Sequence, residues 1–520
     1  MLIGTAVCGK PHVRWCERVD GVKRPSLYFN LALSVSARRI DPVAFLKKIR
    51  TLFAPVDMTS GNLFAKMGLF ALPVALTTML QLLYTSIDLI TVHIGESAEA
   101  MGAIASNGAL INLIIVVFSG MALGANVVLA ESKGANNPQK AEKVIHSSLL
   151  FALMTGIGVG VVGFFVSDNL LQMMNTEEHY MELATLYLRI YFCGLPFLMV
   201  YNYCAQLLRA QGDSQSPFLI LVASGIVNVA IDCALVFGAH LGVAGVGWAT
   251  VAAEGVSAIL GILFLAKGKR AFVRFSFKKL KIDGSALAEV IRIGLPTGLQ
   301  MFFFSLPNVF IQASLYTIDR GNADLENGAV ASGNIEGYFH ALIDAIGMAT
   351  MTFVAQNVGA KKAKNIRNCV LFGFAWGAMV CALVALVAGT WYRPLLQLFV
   401  DTDAAIESGK TRLWIMAFFY LLNAGMNISA GALRGIKKAV FPMMTTLIFC
   451  TVLRIILIKT VFPLPEFHTL AWLYALYPIT WGLTEVFNAV AIAFAYPKAL
   501  KKNDRGISIE EEPTAEEQSH

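Results

Sequence analysis

The stretch LRAQGDSQSP (Leu208–Pro217) returns 225 positions later as LRGIKKAVFP (Leu433–Pro442), with the arginine and the proline in matching places. Two further anchors fall at nearly the same offset. Leu72-Pro73 recurs as Leu295-Pro296. Ala130 followed by Gly134-Ala135 recurs as Ala355 followed by Gly359-Ala360. Three coincidences at nearly one spacing, 223 to 225 positions, mark an internal duplication, and each copy is long enough for several helices.

The rest of the chain says what kind of helices these are. Of 520 residues, 56% are hydrophobic and only 14% charged, and the mean hydropathy is +0.63. Soluble proteins carry about 25% charged residues. So large an apolar surplus exceeds what one aqueous core can hide, which argues against a large soluble enzyme and makes lipid the solvent for much of the surface. Twelve charge-poor apolar runs are legible, at roughly 68–91, 108–130, 144–166, 183–206, 217–237, 244–266, 288–312, 333–356, 368–390, 411–432, 441–462 and 470–495. The loops alternate in basic content. Lys133, Lys140 and Lys143 follow run two, and seven Lys or Arg from Lys267 to Lys281 follow run six. Lys361, Lys362, Lys364 and Arg367 follow run eight, and Arg434, Lys437 and Lys438 follow run ten. The loops after runs one, three and five hold none, and the loop after run seven only Arg320. An excess of Lys and Arg marks cytoplasmic loops, so both termini are expected in the cytoplasm of a cell membrane. Six spans per copy is an even number, so both copies enter from the same side and the repeat is parallel. That is a transporter plan, with substrate handled between or within the halves. The expectation is an all-α membrane protein of twelve transmembrane helices in two pseudo-symmetric six-helix lobes. Its parts are a basic extension over 1–60, an N-lobe over 61–266, a basic linker over 267–287, a C-lobe over 288–497 and an acidic tail over 498–520.

The head carries ten basic residues against four acids, and Phe45, Leu46, Ile49, Leu52 and Phe53 share one helical face. This suits contact with anionic lipid rather than nucleic acid. Met58 resembles an ordinary membrane-protein start, so the head is read as a possible extension of the native chain. The eight cysteines form no CxxC pair and read as small buried hydrophobes, not disulfides or metal ligands.

Ionisable groups inside a bilayer are costly unless they face a cavity or a partner, so they direct the search for chemistry. Run one places Gln81, Tyr84 and Asp88 at i, i+3, i+7 on one helical face, and run five places Asn228 and Asp232 at i, i+4. Thr250 of run six adds a hydroxyl. Two carboxylates, a carboxamide, a phenol and a hydroxyl make an oxygen-rich set. It suits a proton relay or a small hard cation, with a sodium ion conceivable at Asp88, Asn228 and Asp232. The competing reading is a set of helix-end residues facing an aqueous loop. A second set, Glu336, His340 and Asp344, lies at i, i+4, i+8 on run eight and could line a substrate cavity, with Gln300 of run seven; its competing reading is a polar helix start. Arg189, Glu254, Arg454 and Glu485 read as structural ion pairs or snorkelling side chains. No P-loop, HExxH or GxSxG motif is present, which gives no sign of an enzyme or of an ATP-driven engine.

Taken together, these residues resemble the multidrug and toxic compound extrusion (MATE) family over about 68–495. The resemblance rests on Pro73, Gln81, Tyr84 and Asp88, then Ile94-Gly95 and Met101-Gly102. It continues through the stretches Gly120–Gly124 and Glu131–Ala135 and the group Tyr187, Arg189, Gly194 and Pro196. Leu208–Ala210, Gly212-Asp213, Pro217, Asn228, Asp232, Gly242–Gly245 and Ala249-Thr250 complete it. It implies a two-lobed fold with a central cleft. It also implies cation-coupled antiport, by H⁺ or Na⁺, of drug-like and often cationic or aromatic compounds. In relatives the N-lobe holds the coupling site, whose residues match Tyr84, Asp88, Asn228, Asp232 and Thr250. A sodium-coupled branch has a glutamate in helix seven and an aspartate in helix ten. The first place falls near Phe304 here, and helix ten has no carboxylate between Trp414 and Leu433, so coupling is expected in the first lobe. No cofactor beyond the coupling ion, no nucleic acid, a small-molecule substrate, membrane lipids and a monomer complete the expectation. The alternative is a lipid-linked precursor flippase or polysaccharide exporter of the wider superfamily, which would need a basic cavity. A membrane-embedded enzyme has only His340 with Asp344 to suggest it.

Overall fold

The computed structural model describes residues 55–95, 98–174, 176, 178–268, 271–319 and 322–504. The basic head to residue 54, with its amphipathic stretch, and the tail beyond Asp504 lie outside them, as do Lys269, Arg270 and Arg320. Among the described residues, twelve helices are long and apolar enough to cross a membrane. They are α1 (Leu63–Gly95), α2 (Ala98–Gly134), α3 (Pro138–Met173), α4 (Glu178–Ala210), α5 (Gln215–Gly238) and α6 (Gly242–Lys267). The second six are α7 (Gly284–Ile318), α8 (Ala323–Gly359), α9 (Ala363–Leu396), α10 (Asp403–Gly435), α11 (Val440–Thr460) and α12 (Leu470–Asp504). Each corresponds to an expected run. Most are longer than their apolar run, because backbone hydrogen bonding carries a helix on past the hydrocarbon into the interface, where hydropathy no longer marks it. The chain is a multi-pass membrane protein.

The duplication is written into the backbone. Asn136 and Lys361, 225 positions apart, are both left-handed, at φ 50° and 55°, and close the α2–α3 and α8–α9 turns. Gly212 and Lys437 do the same in the α4–α5 and α10–α11 turns, at φ 92° and 62°. The hydrogen bonds repeat as well. Asn137 N donates to Ser132 O as Lys362 N does to Asn357 O, and Asp213 N donates to Leu208 O as Lys438 N does to Leu433 O. These bonds satisfy carbonyls that a helix end leaves orphaned.

The lobes meet along a seam at the end that carries the basic turns, and the contact is made by backbone. A Cβ on Gly134 of α2 would lie 1.9 Å from the Gln356 carbonyl oxygen of α8. A Cβ on Gly359 of α8 would lie 2.0 Å from the Glu131 carbonyl oxygen of α2. The two contacts are images of each other under the repeat, as an isologous interface requires. Farther along α2, Gly124 and Gly120 take Gly294 and Gly298 of α7 at similarly close range. Small residues that let backbones touch are the usual glue between helices in lipid, where apolar surface alone gives no net attraction. Polar groups lace the same seam. Thr352 Oγ1 donates to Asn126 Oδ1 at 3.1 Å, and Gln356 Nε2 to the Ala210 carbonyl at 2.8 Å.

Residues 56–60 are threaded into this end. Val56 N donates to Gly212 O in the N-lobe, while the Met58 and Thr59 carbonyls accept from Asn357 and from Lys362 and Asn365 in the C-lobe. Asp57 organises the turn. Burial acts against its charge, but hydrogen bonds from Ser60 and Thr59 and the nearby Lys66 ammonium outweigh it and hold the carboxyl at about 2, below its ordinary 3.8. The linker after α6 packs on α3. Phe275 stacks on His146 at 5.2 Å, and Lys143 pairs with Asp283 at 2.9 Å. Cys204, Cys369, Cys381 and Cys450 are buried as expected, whereas Cys193 and Cys233 are exposed on the helix surfaces; all six are free.

Two outcomes are expected. Gly134→Val should destabilise the protein by about 1–3 kcal/mol through overpacking, read as a lower thermal midpoint. Gly158→Ala, where a Cβ meets nothing within 4 Å, should leave it unchanged or slightly raised. The second concerns pH. The folded Asp57 carboxyl titrates below the unfolded one, so its contribution is present above pH 3.8 and fades as pH falls toward 2. Asp57→Asn should flatten that acid limb in a stability-versus-pH profile.

Candidate functional site

Helix α1 presents Gln81, Tyr84 and Asp88 to a cavity of about 680 Å³. Asn228 of α5 and Thr250 of α6 line the same space. The helical spacing therefore brings together the residues expected to share a face, and Asp88 lies well inside α1, which runs on to Gly95. Tyr84 is seated firmly. Its hydroxyl donates to the Leu221 carbonyl at 3.0 Å, and its ring packs on Gly225, where a Cβ would fall 2.0 Å from the ring carbon that bears the hydroxyl.

Asp232 is fully buried, and its carboxyl comes within hydrogen-bonding reach of Asp88. It stands at the end of the α-helical part of α5, where the chain winds into a π-helical segment over Cys233–Gly238. Such segments often sit at functional sites. Asp88 Oδ1 and both Asp232 oxygens are buried without a donor among the described residues. What faces each carboxylate is the other acceptor, so the pair calls for a positive charge between or beside it.

The rest of the cavity is aromatic and acidic. Tyr187, Tyr191 and Tyr201 of α4 form one wall, and Asn334 and Tyr338 of α8 bring the C-lobe to it. Glu254 lines it too. The reading of Glu254 as a structural ion pair or a snorkelling side chain is therefore corrected. Its Oε2 lies over Gly194, where a Cβ would be 2.5 Å away, and it has no ion-pair partner among the described residues. The signal in the sequence was its i, i+4 spacing from Thr250.

The second set does not join this cavity. Glu336 is gripped by the Arg412 guanidinium of α10 through two bonds, at 2.9 and 3.0 Å, and accepts a third from Ser332 at 3.1 Å. Its carboxylate is thus satisfied by protein. Gln300 is buried between Arg434 Nη2 at 2.7 Å and Thr446 Oγ1 at 3.1 Å. His340 and Asp344 pair at 3.2 Å, and the imidazole stacks on Phe304 at 6.1 Å. Arg189 does pair with Asp168, at 2.6 Å. Arg454 does not snorkel. It is wholly buried under the Tyr477 ring at 4.4 Å, with Thr480 Oγ1 as acceptor and no carboxylate partner among the described residues. Glu485 accepts from Ser429 at 3.0 Å.

The family model called MatE matches residues 73–233 and 296–459, one block in each lobe. The chain belongs to the MatE family. Among curated relatives of this MatE chain are two from Bacillus subtilis (strain 168). "Probable multidrug resistance protein YpnP" is 26% identical over 75% of this chain and 86% of its own length. "Probable multidrug resistance protein YoeA" is 24% identical over 73% and 83%. A solved structure described as "Crystal structure of MATE in complex with MaL6" superposes with a TM-score of 0.76 at 20% identity, over 85% of this chain and 98% of that one. The likeness establishes the two-lobed MATE fold.

The donor set bears on what the MatE site can hold. No three His, Cys, Asp or Glu gather as metal ligands among the described residues. Two carboxylates with the Asn228 carbonyl offer oxygen alone, which fits a proton or a hard monovalent cation and not a soft metal.

The seating of Tyr84 can be tested by a double-mutant cycle on thermal stability. Gly225→Val should destabilise by about 1–3 kcal/mol, because the new side chain takes the place of the ring. Adding Tyr84→Ala should make the double variant less destabilised than the sum of the two. Strict additivity would mean the two residues do not touch.

Proposed function

We propose that this MatE chain exports drug-like small molecules, cationic or aromatic in character, in exchange for H⁺ or Na⁺, by alternating access. The observation that carries the reading is the Asp88–Asp232 pair, its buried oxygens without a donor among the described residues, beside an aromatic and acidic cavity that both lobes line. The names of the relatives, probable multidrug resistance proteins, agree with the substrate class. In this reading Asp88, Asp232 and Asn228 hold the coupling ion. A proton or a sodium ion supplies the positive charge the carboxylates call for, and Tyr84 and Thr250 position α1 and α6 around them. Tyr187, Tyr191 and Tyr201 give a flat cation the faces it prefers, with Glu254 as counter-charge. His340 and Asp344 remain a candidate C-lobe contact for substrate.

Ion and substrate can drive exchange only by preferring different conformations. The seam suggests what separates them. Glu131 of α2 pairs with Lys437 of the α10–α11 turn, and Lys140 of α3 pairs with Glu289 of α7 at 2.8 Å, so two ion pairs cross between lobes. Lys437 also meets Glu289, and Lys140 meets Glu131, closing a four-membered ring. Lys437 makes these contacts from a left-handed backbone that its repeat mate, Gly212, adopts without a Cβ. In our scheme this ring and the glycine contacts seal the basic end. Opening that end breaks both interlobe pairs, and ion binding at Asp88 and Asp232 biases the choice. We take the protein to work as a monomer in the cell membrane, its basic end and both termini cytoplasmic, on the strength of the loop charges.

A flippase or polysaccharide exporter is the second reading. It needs cations to hold phosphate, whereas the cavity lining includes Asp88 and Glu254 and, among the described residues, no Lys or Arg. Ethidium efflux from proteoliposomes, with a pH gradient and a Na⁺ gradient imposed separately, tests the proposal and identifies the driving ion. Asp88→Asn and Asp232→Asn should each abolish gradient-driven efflux while the protein still inserts and stays monodisperse. Full efflux in Asp88→Asn would end it.

A further inference from the structure

A second cavity, of about 710 Å³, opens on the flank of the C-lobe at the basic end, between α7, α10, α11 and α12. Its walls are of two kinds. Phe441 of α11 and Phe487, Val490 and Phe494 of α12 are all large, apolar and 40–72% exposed. They belong to membrane-spanning helices, so hydrocarbon is what they meet. At the rim stand Arg292 of α7 and Lys438 of the α10–α11 turn, both exposed and without a carboxylate partner among the described residues. The other two charged groups of the rim, Glu289 and Lys437, are tied to each other and to the interlobe ring. The free charge at the mouth is therefore positive.

An apolar groove running down a helix from a pair of unpaired cations has one complementary ligand in a bilayer. A soluble anion would have no use for the phenylalanine wall, and a neutral lipid no use for the cations. From Phe494 to Phe487 the wall follows α12 for about 10 Å at 1.5 Å per residue, the direction an acyl chain takes. Basic pockets between helices at the cytoplasmic side are suited to acidic lipid head groups. We propose that this cavity binds an anionic phospholipid of the leaflet at the basic end, its phosphate on Arg292 and Lys438 and an acyl chain along Phe487, Val490 and Phe494. The site is separate from the cavity beside Asp88 and shares no lining residue with it. It adjoins the turn that holds Lys437, so bound lipid would rest against the seam between the lobes.

Two measurements on the purified full chain test this. The first uses wild type with a photoreactive, diazirine-bearing phosphatidylglycerol in vesicles. Crosslinks should concentrate on 433–441 and 487–495; labelling spread evenly over the lipid-facing helices would overturn the proposal. The second is native mass spectrometry with phosphatidylglycerol against phosphatidylcholine. The charge-removing substitutions Arg292→Gln and Lys438→Gln should each lower retained phosphatidylglycerol by roughly fivefold, the weight of one Lys or Arg at an anionic surface, and leave phosphatidylcholine unchanged. Lys364→Gln with Arg367→Gln removes two exposed charges from the start of α9, at the same end. Equal losses in that control, or equal retention of both lipids by wild type, would mean that charge in general and not this cavity attracts the lipid.

Discussion

Two helices that touch through their backbones, α2 and α8, set the terms for everything else. Gly134 lies on the Gln356 carbonyl and Gly359 on the Glu131 carbonyl, and neither position has room for a single added carbon. In lipid the helices gain little by burying apolar faces, so close approach and its dispersion and polar contacts must supply the association. That approach brings Thr352 to Asn126, Gln356 to the Ala210 carbonyl, and Glu131 to Lys437. Backbones that fit this tightly are either in register or apart, and a two-state element of that kind suits the alternating access proposed above.

The two lobes share a scaffold and differ in what they do with it. The turns repeat to the hydrogen bond, yet Gly212 in one copy is Lys437 in the other. The glycine accommodates Val56 of the entering strand of chain, and the lysine reaches across to the opposite lobe. The same divergence runs through the interiors. The N-lobe keeps two carboxylates facing each other with no donor among the described residues, beside tyrosines and Glu254. The C-lobe neutralises Glu336 with Arg412 and buries Arg454 under Tyr477. An uncompensated buried pair is unstable on its own account and is tolerated only where something mobile completes it. That asymmetry is why the reading places coupling in the first half.

How much of this the sequence discloses depends on distance along the chain. The face shared by Gln81, Tyr84 and Asp88 follows from 3.6 residues per turn, and so does the pairing of Asn228 with Asp232 on α5. The same arithmetic would have found Glu254 one turn beyond Thr250. It misjudges Glu336, because the residue that claims it, Arg412, is 76 positions away on another helix. It misjudges Arg454, because a charged residue near a helix end snorkels only if water is within reach, and here Tyr477 and Thr480 enclose it.

The sequence by itself determined the twelve spans, the parallel duplication and the polar face of each helix. These depend on composition and on local periodicity, and the bilayer leaves a helix no other way to satisfy its backbone. Only the tertiary structure decided which polar faces meet. Asp88 finds Asp232, Glu131 finds Lys437, and Glu336 is lost to Arg412 because of how helices from distant parts of the chain cross. Those crossings are set by where glycines let backbones touch, a property of pairs of helices that no single stretch encodes.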